Sequence, residues 1–135
     1  MTDRFLLRLI IALAASVLLF SSSLYSDEAI KYPGELNRDK RIFDGKVVIL
    51  RGYLIHEPGA YAIWDSLEAM RREDVSGCVS LLYSSELLKI ISFANRHYVT
   101  VRGIFRRDVT KDGGVFLGLC NYTGIVVSEV IDVQK

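Results

Sequence analysis

An excess of charge of one sign is missing from this sequence: 17 Lys and Arg stand against 16 Asp and Glu in 135 residues. Chains that hold nucleic acid through its phosphates cluster basic side chains and show a basic surplus. The balance here argues against that class. Two cysteines, Cys78 and Cys120, are too few for a four-cysteine zinc site or a disulfide-dense scaffold. The two histidines, His56 and His97, each stand beside a charged residue, Glu57 and Arg96, with no Cys or carboxylate at ligand spacing, and read as surface histidines rather than metal ligands. With only two prolines, polyproline and low-complexity classes drop out. No Gly-rich phosphate loop, nucleophile elbow or paired-cysteine motif occurs. The sequence therefore points to no catalytic residue, no metal and no cofactor, and a non-enzymatic protein is expected.

Long apolar runs are also scarce, with one exception. Leu9 to Phe20 is an uninterrupted run of twelve, preceded by Arg4 and Arg8 and followed by serines at 21, 22, 23 and 26. This order of basic, apolar and small residues is that of a secretory signal peptide. Twelve residues as a helix cover about 18 Å, short of a hydrocarbon core of about 30 Å. Residues 1–26 are therefore expected to be a cleaved signal helix, cut after Ser23 or Ser26. The alternative is an uncleaved anchor in the inner membrane. No cysteine follows the run, so lipid attachment is not expected. The expected location is periplasmic or secreted. Residues 1–26 contribute Arg4, Arg8 and Asp3, and without them the two signs balance.

What the remaining chain does have is a repeated stretch. Val48 to Leu54 reads V-I-L-R-G-Y-L and recurs at Val99 to Phe105 as V-T-V-R-G-I-F. Apolar residues alternate in each, with glycine at the third inward position, the pattern of a half-buried strand that must bend sharply. Two such strands point to a small barrel.

Residues 27–43 read as a polar lead-in with at most one helical turn, and the domain proper as 44–135. The first strand is expected over Lys46 to His56, with Val48, Leu50, Gly52 and Leu54 on one face. Its other face, Val47, Ile49, Arg51, Tyr53 and Ile55, is apolar enough to need a cover near one end, by a helix or by the N-terminal segment. Glu57-Pro58-Gly59 breaks the chain before a short second strand, Tyr61 to Trp64. Asp65 and Glu68 have the spacing of a capping box, which opens a brief helix. Cys78 to Tyr83 is the third strand. A helix from Glu86 to about Asn95 follows, whose Leu87, Leu88, Ile91 and Ala94 form an apolar stripe suited to plugging a barrel end. The fourth strand is expected over Tyr98 to Arg107, then a turn at Asp112-Gly113-Gly114, then a fifth strand over Val115 to Val130, bent near Gly118 or Gly124.

This order, mainly β with five strands, a short helix after the second and a helix between the third and fourth, is that of a Greek-key OB-fold barrel. The stretches F-D-G-K-V-V-I-L-R-G-Y-L, A-I-W-D-S-L-E, Y-V-T-V-R-G-I-F and G-I-V-V-S-E-V-I resemble the small secreted OB-like proteins of proteobacteria with no assigned activity. The resemblance spans Asp44 to Val133 and implies fold, transferring no functional residue.

Within such a barrel, ligands are taken on the face of strands two and three. Tyr61, Trp64 and Tyr83 could offer stacking surfaces there, or serve as core. Arg51, Arg102 and Arg106, on the outer faces of strands one and four, form either a basic stripe or pairs with carboxylates. In the resembling topology the third strand lies beside the fifth, where Cys78 and Cys120 fall. They are either bridged, as an oxidising compartment favours, or two buried thiols. The function expected is an exported binding module for a protein, peptide or glycan. The alternative is a nucleic-acid-binding OB domain, and membrane contact enters only if the N-terminal helix is retained.

Overall fold

The computed structural model describes residues 29–112 and 119–135. Five strands close into a barrel: β2 (Val47–Ile55), β3 (Ala62–Trp64), β4 (Cys78–Tyr83), β5 (His97–Arg106) and β6 (Gly124–Gln134). They run in the order β2-β3-β4-β6-β5, and β5 pairs back onto β2. All neighbours are antiparallel except β4 and β6, which run parallel from Ser80↔Gly124 to Tyr83↔Val127. The repeated stretches are the β2–β5 pair. Val48 lies opposite Gly103 and Gly52 opposite Val99, so the two copies meet with their glycines two residues inside either end. Each glycine is where another strand crosses closely: a Cβ on Gly52 would collide with the Trp64 carbonyl, and one on Gly103 with the Val126 carbonyl. A register shift between Arg102 and Gly103 marks the bulge at that corner.

Inward residues of all five strands make one core, including Leu50, Leu54, Ile63, Val79, Val101, Phe105 and Ile125. Helix α4 (Leu88–Phe93) plugs one end through Ile91, with Ala94 just beyond it; both are fully buried. Leu88 of the expected stripe instead faces solvent, because a 3₁₀ turn at Ser85–Leu87 starts the element and rotates the buried stripe onto Leu87, Ile91 and Ala94.

The segment before β2 is more than a lead-in. β1 (Ile30–Lys31) pairs in parallel with Ile49 and Leu50, followed by α1 (Pro33–Arg38) and α2 (Lys40–Phe43). Leu36 sits in the barrel core with no exposure, so this segment is part of the domain's packing. Its charged residues hid one buried leucine and a proline at the first helical position.

Other differences have local causes. Helix α3 (Leu67–Arg71) is capped by Ser66, whose Oγ accepts from the Ala69 N–H at 3.1 Å, and not by Asp65, whose carboxylate is committed elsewhere. The last strand is Gly124–Gln134; residues 115–118 of the expected strand lie outside the described residues, and Leu119–Tyr122 forms a left-handed turn with Cys120, Asn121 and Tyr122 at φ 57°, 52° and 66°. The expected signal helix, Gly113, Gly114 and the bend at Gly118 lie outside the described residues. Among the described residues no helix is long and apolar enough to cross a membrane.

Candidate functional site

The outer face of β2, β3 and β4 is covered by the chain itself. Tyr53, Ile55, Ala62, Trp64 and Cys78 point away from the core and pack with Cys120, and Leu67 and Met70 of α3, Tyr98 and Leu119 lie over them. The cover anticipated for one end of the first strand is thus α3, helped by the left-handed turn. Tyr98 meets Tyr53 edge-on at 5.2 Å, and its hydroxyl oxygen accepts the Leu67 N–H at 3.1 Å. Trp64 is 6% exposed and offers no stacking platform; it belongs to this second layer of packing. A disulfide joins Cys78 and Cys120 inside the same layer. Cys78 opens the third barrel strand as expected, whereas Cys120 lies in the turn ahead of the last strand.

The other two aromatic candidates come together at the barrel rim. Tyr61 enters β3, Tyr83 ends β4, and between them stands His56, just past the end of β2. The His56 ring lies 4.7 Å from the Tyr61 ring and 5.5 Å from that of Tyr83, and a short hydrogen bond joins His56 Nε2 to the Tyr83 hydroxyl. Asn95, after α4, fixes the start of the loop by accepting the His56 N–H at 2.8 Å. Burial, and then the neighbouring Tyr61, push the Tyr83 phenol above its ordinary value. Tyr61 remains 41% exposed. The rim thus presents an aromatic and imidazole surface with one hydroxyl–imidazole pair. His56 carried no signal in the sequence, since its partners lie 5 and 27 positions away.

The arginines do not form an unpaired stripe. Arg51 donates from Nε to Thr100 Oγ1 at 3.1 Å, and Arg102 pairs with Glu129 across β5 and β6. Arg106, at the end of β5, lines a small depression with Asp44, Arg107, Asp108 and Lys111, a mixed-charge surface. Half-exposed pairs of this kind contribute under about 1 kcal/mol each.

A polar cleft of about 350 Å³ lies at another part of the surface, lined by Asn37, Arg38, Lys40, Asp65, Asn121 and Thr123 among others. Its floor is fixed. Asn37 Nδ2 donates to the carbonyls of Ser76 and Cys78, and Asn37 Oδ1 accepts from Thr123 Oγ1 at 2.7 Å. Asp65 Oδ1 accepts the Gly34 N–H at 2.8 Å, tying α1 to the barrel, and Gly34 and Gly77 leave room for the carboxylate because a Cβ on either would lie 2.7 Å from Oδ2. Burial raises the Asp65 pKa above 3.8; the Gly34 bond opposes this, Asp74 and Glu35 add to it, and Arg38 opposes it. A raised folded-state value means that Asp65 contributes stability in full below its unfolded value and loses it as pH rises through the folded one. Asn keeps an acceptor for Gly34, so Asp65→Asn should be at least as stable as the parent at pH 7, with the gap closing toward pH 4. Urea melts at both pH values check this.

The left-handed turn forms one wall of the cleft. Three successive non-glycine residues in this region cost roughly 1–2 kcal/mol each; they are held by the disulfide and by the Thr123 N–H and Oγ1 donating to the Cys120 carbonyl. Tyr122 is exposed, so Tyr122→Gly should relieve strain and raise stability by up to about 1 kcal/mol after the entropy cost of glycine, measured by thermal melting. Among the described residues no group of three or more His, Cys, Asp or Glu is placed to hold a metal ion. No family model, curated protein or solved structure matches this chain.

Proposed function

We propose that this chain is an exported, non-enzymatic binding domain on an OB-like Greek-key barrel, which meets a protein or peptide partner at the rim formed by His56, Tyr61 and Tyr83. The strand order, the parallel β4–β6 contact and the helix between β4 and β5 support the OB-like reading. Export is supported by the apolar run after Arg4 and Arg8 and by the Cys78–Cys120 bridge, which an oxidising compartment favours. The observation that carries the binding reading is the rim itself, where a half-exposed tyrosine stands on an imidazole already anchored by a second tyrosine. Aromatic and amphipathic side chains held in one geometry give contact area at low entropy cost.

The nucleic-acid reading fares less well. It calls for a basic groove and open aromatic platforms, and here Arg51 and Arg102 are engaged while Trp64 lies under α3. No motif in the sequence supplies a nucleophile with its base, which supports a role without chemistry.

Site-specific photocrosslinking tests the proposal. A crosslinking residue placed at Tyr61 in the full chain, expressed in cells, should capture a discrete partner, and one placed at Arg71 on α3 should not. Equal or absent capture from both positions would count against the rim as a contact surface.

A further inference from the structure

The last strand outruns its neighbour. β4 pairs with β6 only from Gly124 to Val127, whereas β5 stays paired with it as far as Tyr98↔Gln134. On the β4 side, Ser128–Gln134 has no strand partner among the described residues. The register against β5 shifts twice along it, leaving Ser128 and Ile131 without a residue opposite, and around these bulges the open edge offers N–H and C=O groups to an extended chain. Two bulges and the charged Glu129 and Asp132 protect this edge in part, but no proline or lysine lies within 128–134, and Ile131 in its middle is 44% exposed.

At the far end of this edge, next to Lys135, lies an apolar depression of about 350 Å³ formed by Glu86, Lys89, Ile90 and Phe93. Phe93, on α4, is 59% exposed. It stacks on His97 at 6.3 Å, and the Lys135 ammonium lies 5.8 Å from its ring, which places it next to the paired ends of β5 and β6. Tyr83, the last residue of β4, lies opposite Val127, so the rim cluster stands where the open edge begins.

The occupant can be narrowed by charge and area. A second copy joined through the same edge about a two-fold axis would bring the acidic Asp132 of both chains into one ladder, where like charges destabilise, while Glu129 is already paired with Arg102. A single seven-residue ladder is also small beside the roughly 1,200 Å² at which specific interfaces begin. A flexible segment needs no such area, and strand addition draws its affinity from backbone bonds and its selectivity from side-chain pockets. Resting on the binding role proposed above, we infer that the partner contributes an extended peptide segment that adds as a strand to the outer edge of Ser128–Gln134, with apolar side chains toward Ile90 and Phe93 and a basic residue facing Asp132.

The probe is the capped heptapeptide Lys-Val-Lys-Phe-Lys-Val-Lys, with its Glu-for-Lys counterpart as control, titrated into the ¹⁵N-labelled chain. The basic peptide should shift amides within 128–134 and slow hydrogen exchange at alternate positions there, and bind at least tenfold more tightly than the acidic one. Phe93→Ala and Ile131→Lys alter exposed positions, so thermal melts should stay unchanged while binding falls at least tenfold. Amides of 128–134 that neither shift nor gain protection, or affinity indifferent to both substitutions, would overturn strand addition. If crosslinking from Tyr61 then still captures a partner, undiminished in both variants, the rim reading stands and only the mode of binding is wrong.

Discussion

Gly103→Ala should remove about 3 kcal/mol or more of stability, enough to leave little folded protein. A Cβ at this position would overlap the Val126 carbonyl and come within 2.9 Å of Ile125 Cγ1. Overpacking against side chains costs about 1–3 kcal/mol because rotamers can shift. Here the obstacle is the backbone of β6 at the corner where the sheet folds over, and relief would require opening the β5–β6 ladder. Gly52→Ala should behave alike, since its Cβ would overlap the Trp64 carbonyl and lie 2.6 Å from Ile63 Cγ2. Gly45→Ala is the informative control: its φ is +76° but nothing lies within 4 Å, so only the left-handed penalty of about 1–2 kcal/mol applies. Urea denaturation of the three variants separates close approach from backbone strain. A Gly103→Ala loss no larger than that of Gly45→Ala would mean that the strands do not cross there.

Removal of the disulfide is the second large effect. Cys78 and Cys120 are 42 residues apart in sequence, for which the chain-entropy relation gives about 4 kcal/mol. The bridge also holds Cys120 in the left-handed turn, which supplies Leu119 and Cys120 to the layer over Trp64. The double Cys78→Ala, Cys120→Ala variant should therefore melt well below the parent, and its Trp64 emission should shift toward that of an exposed indole before global unfolding. Both cysteines are fully buried, so reductant should act slowly on the folded protein and quickly once it opens. Equal melting temperatures with and without the bridge would show that strand pairing alone holds the turn.

The barrel could be read from the sequence because strand periodicity is local. The two V-x-[V/L]-R-G-x-[L/F] stretches announced two equivalent bent strands, and β2 and β5 pair with each other through them. Cys78–Tyr83 came out at the expected bounds, and the apolar outer face of the first strand correctly called for a cover. Of the two expected covers, a helix or the N-terminal segment, the helix α3 is the one found, whereas Leu119 joins it from a position whose side chain looks equally suited to core or surface. The left-handed turn had no signal either: Cys, Asn and Tyr in sequence name no turn type, and only the disulfide and the Thr123 bonds make the conformation tenable. Leu36 was hidden among charges. The rim cluster was half legible, since Tyr61 and Tyr83 were candidates by type, but their union through His56 depends on strand ends that only the closed barrel brings together. Trp64 was weighed between platform and core, and its place beneath α3 depends on contacts that no local pattern encodes.

The outer face of β2–β4 is closed by the chain's own α3 and disulfide-held turn, and the rim and the β6 edge are the surfaces we propose for partners. Trp64 is the single tryptophan and lies at the centre of that face. Acrylamide quenching of its fluorescence in the folded, oxidised protein measures the closure directly. A Trp64 buried beneath α3 should give a blue-shifted emission with a quenching constant several-fold below that of the urea-unfolded chain. Quenching as efficient as in the unfolded chain would place Trp64 in solvent and show that the strand face is an open ligand platform, not a covered one.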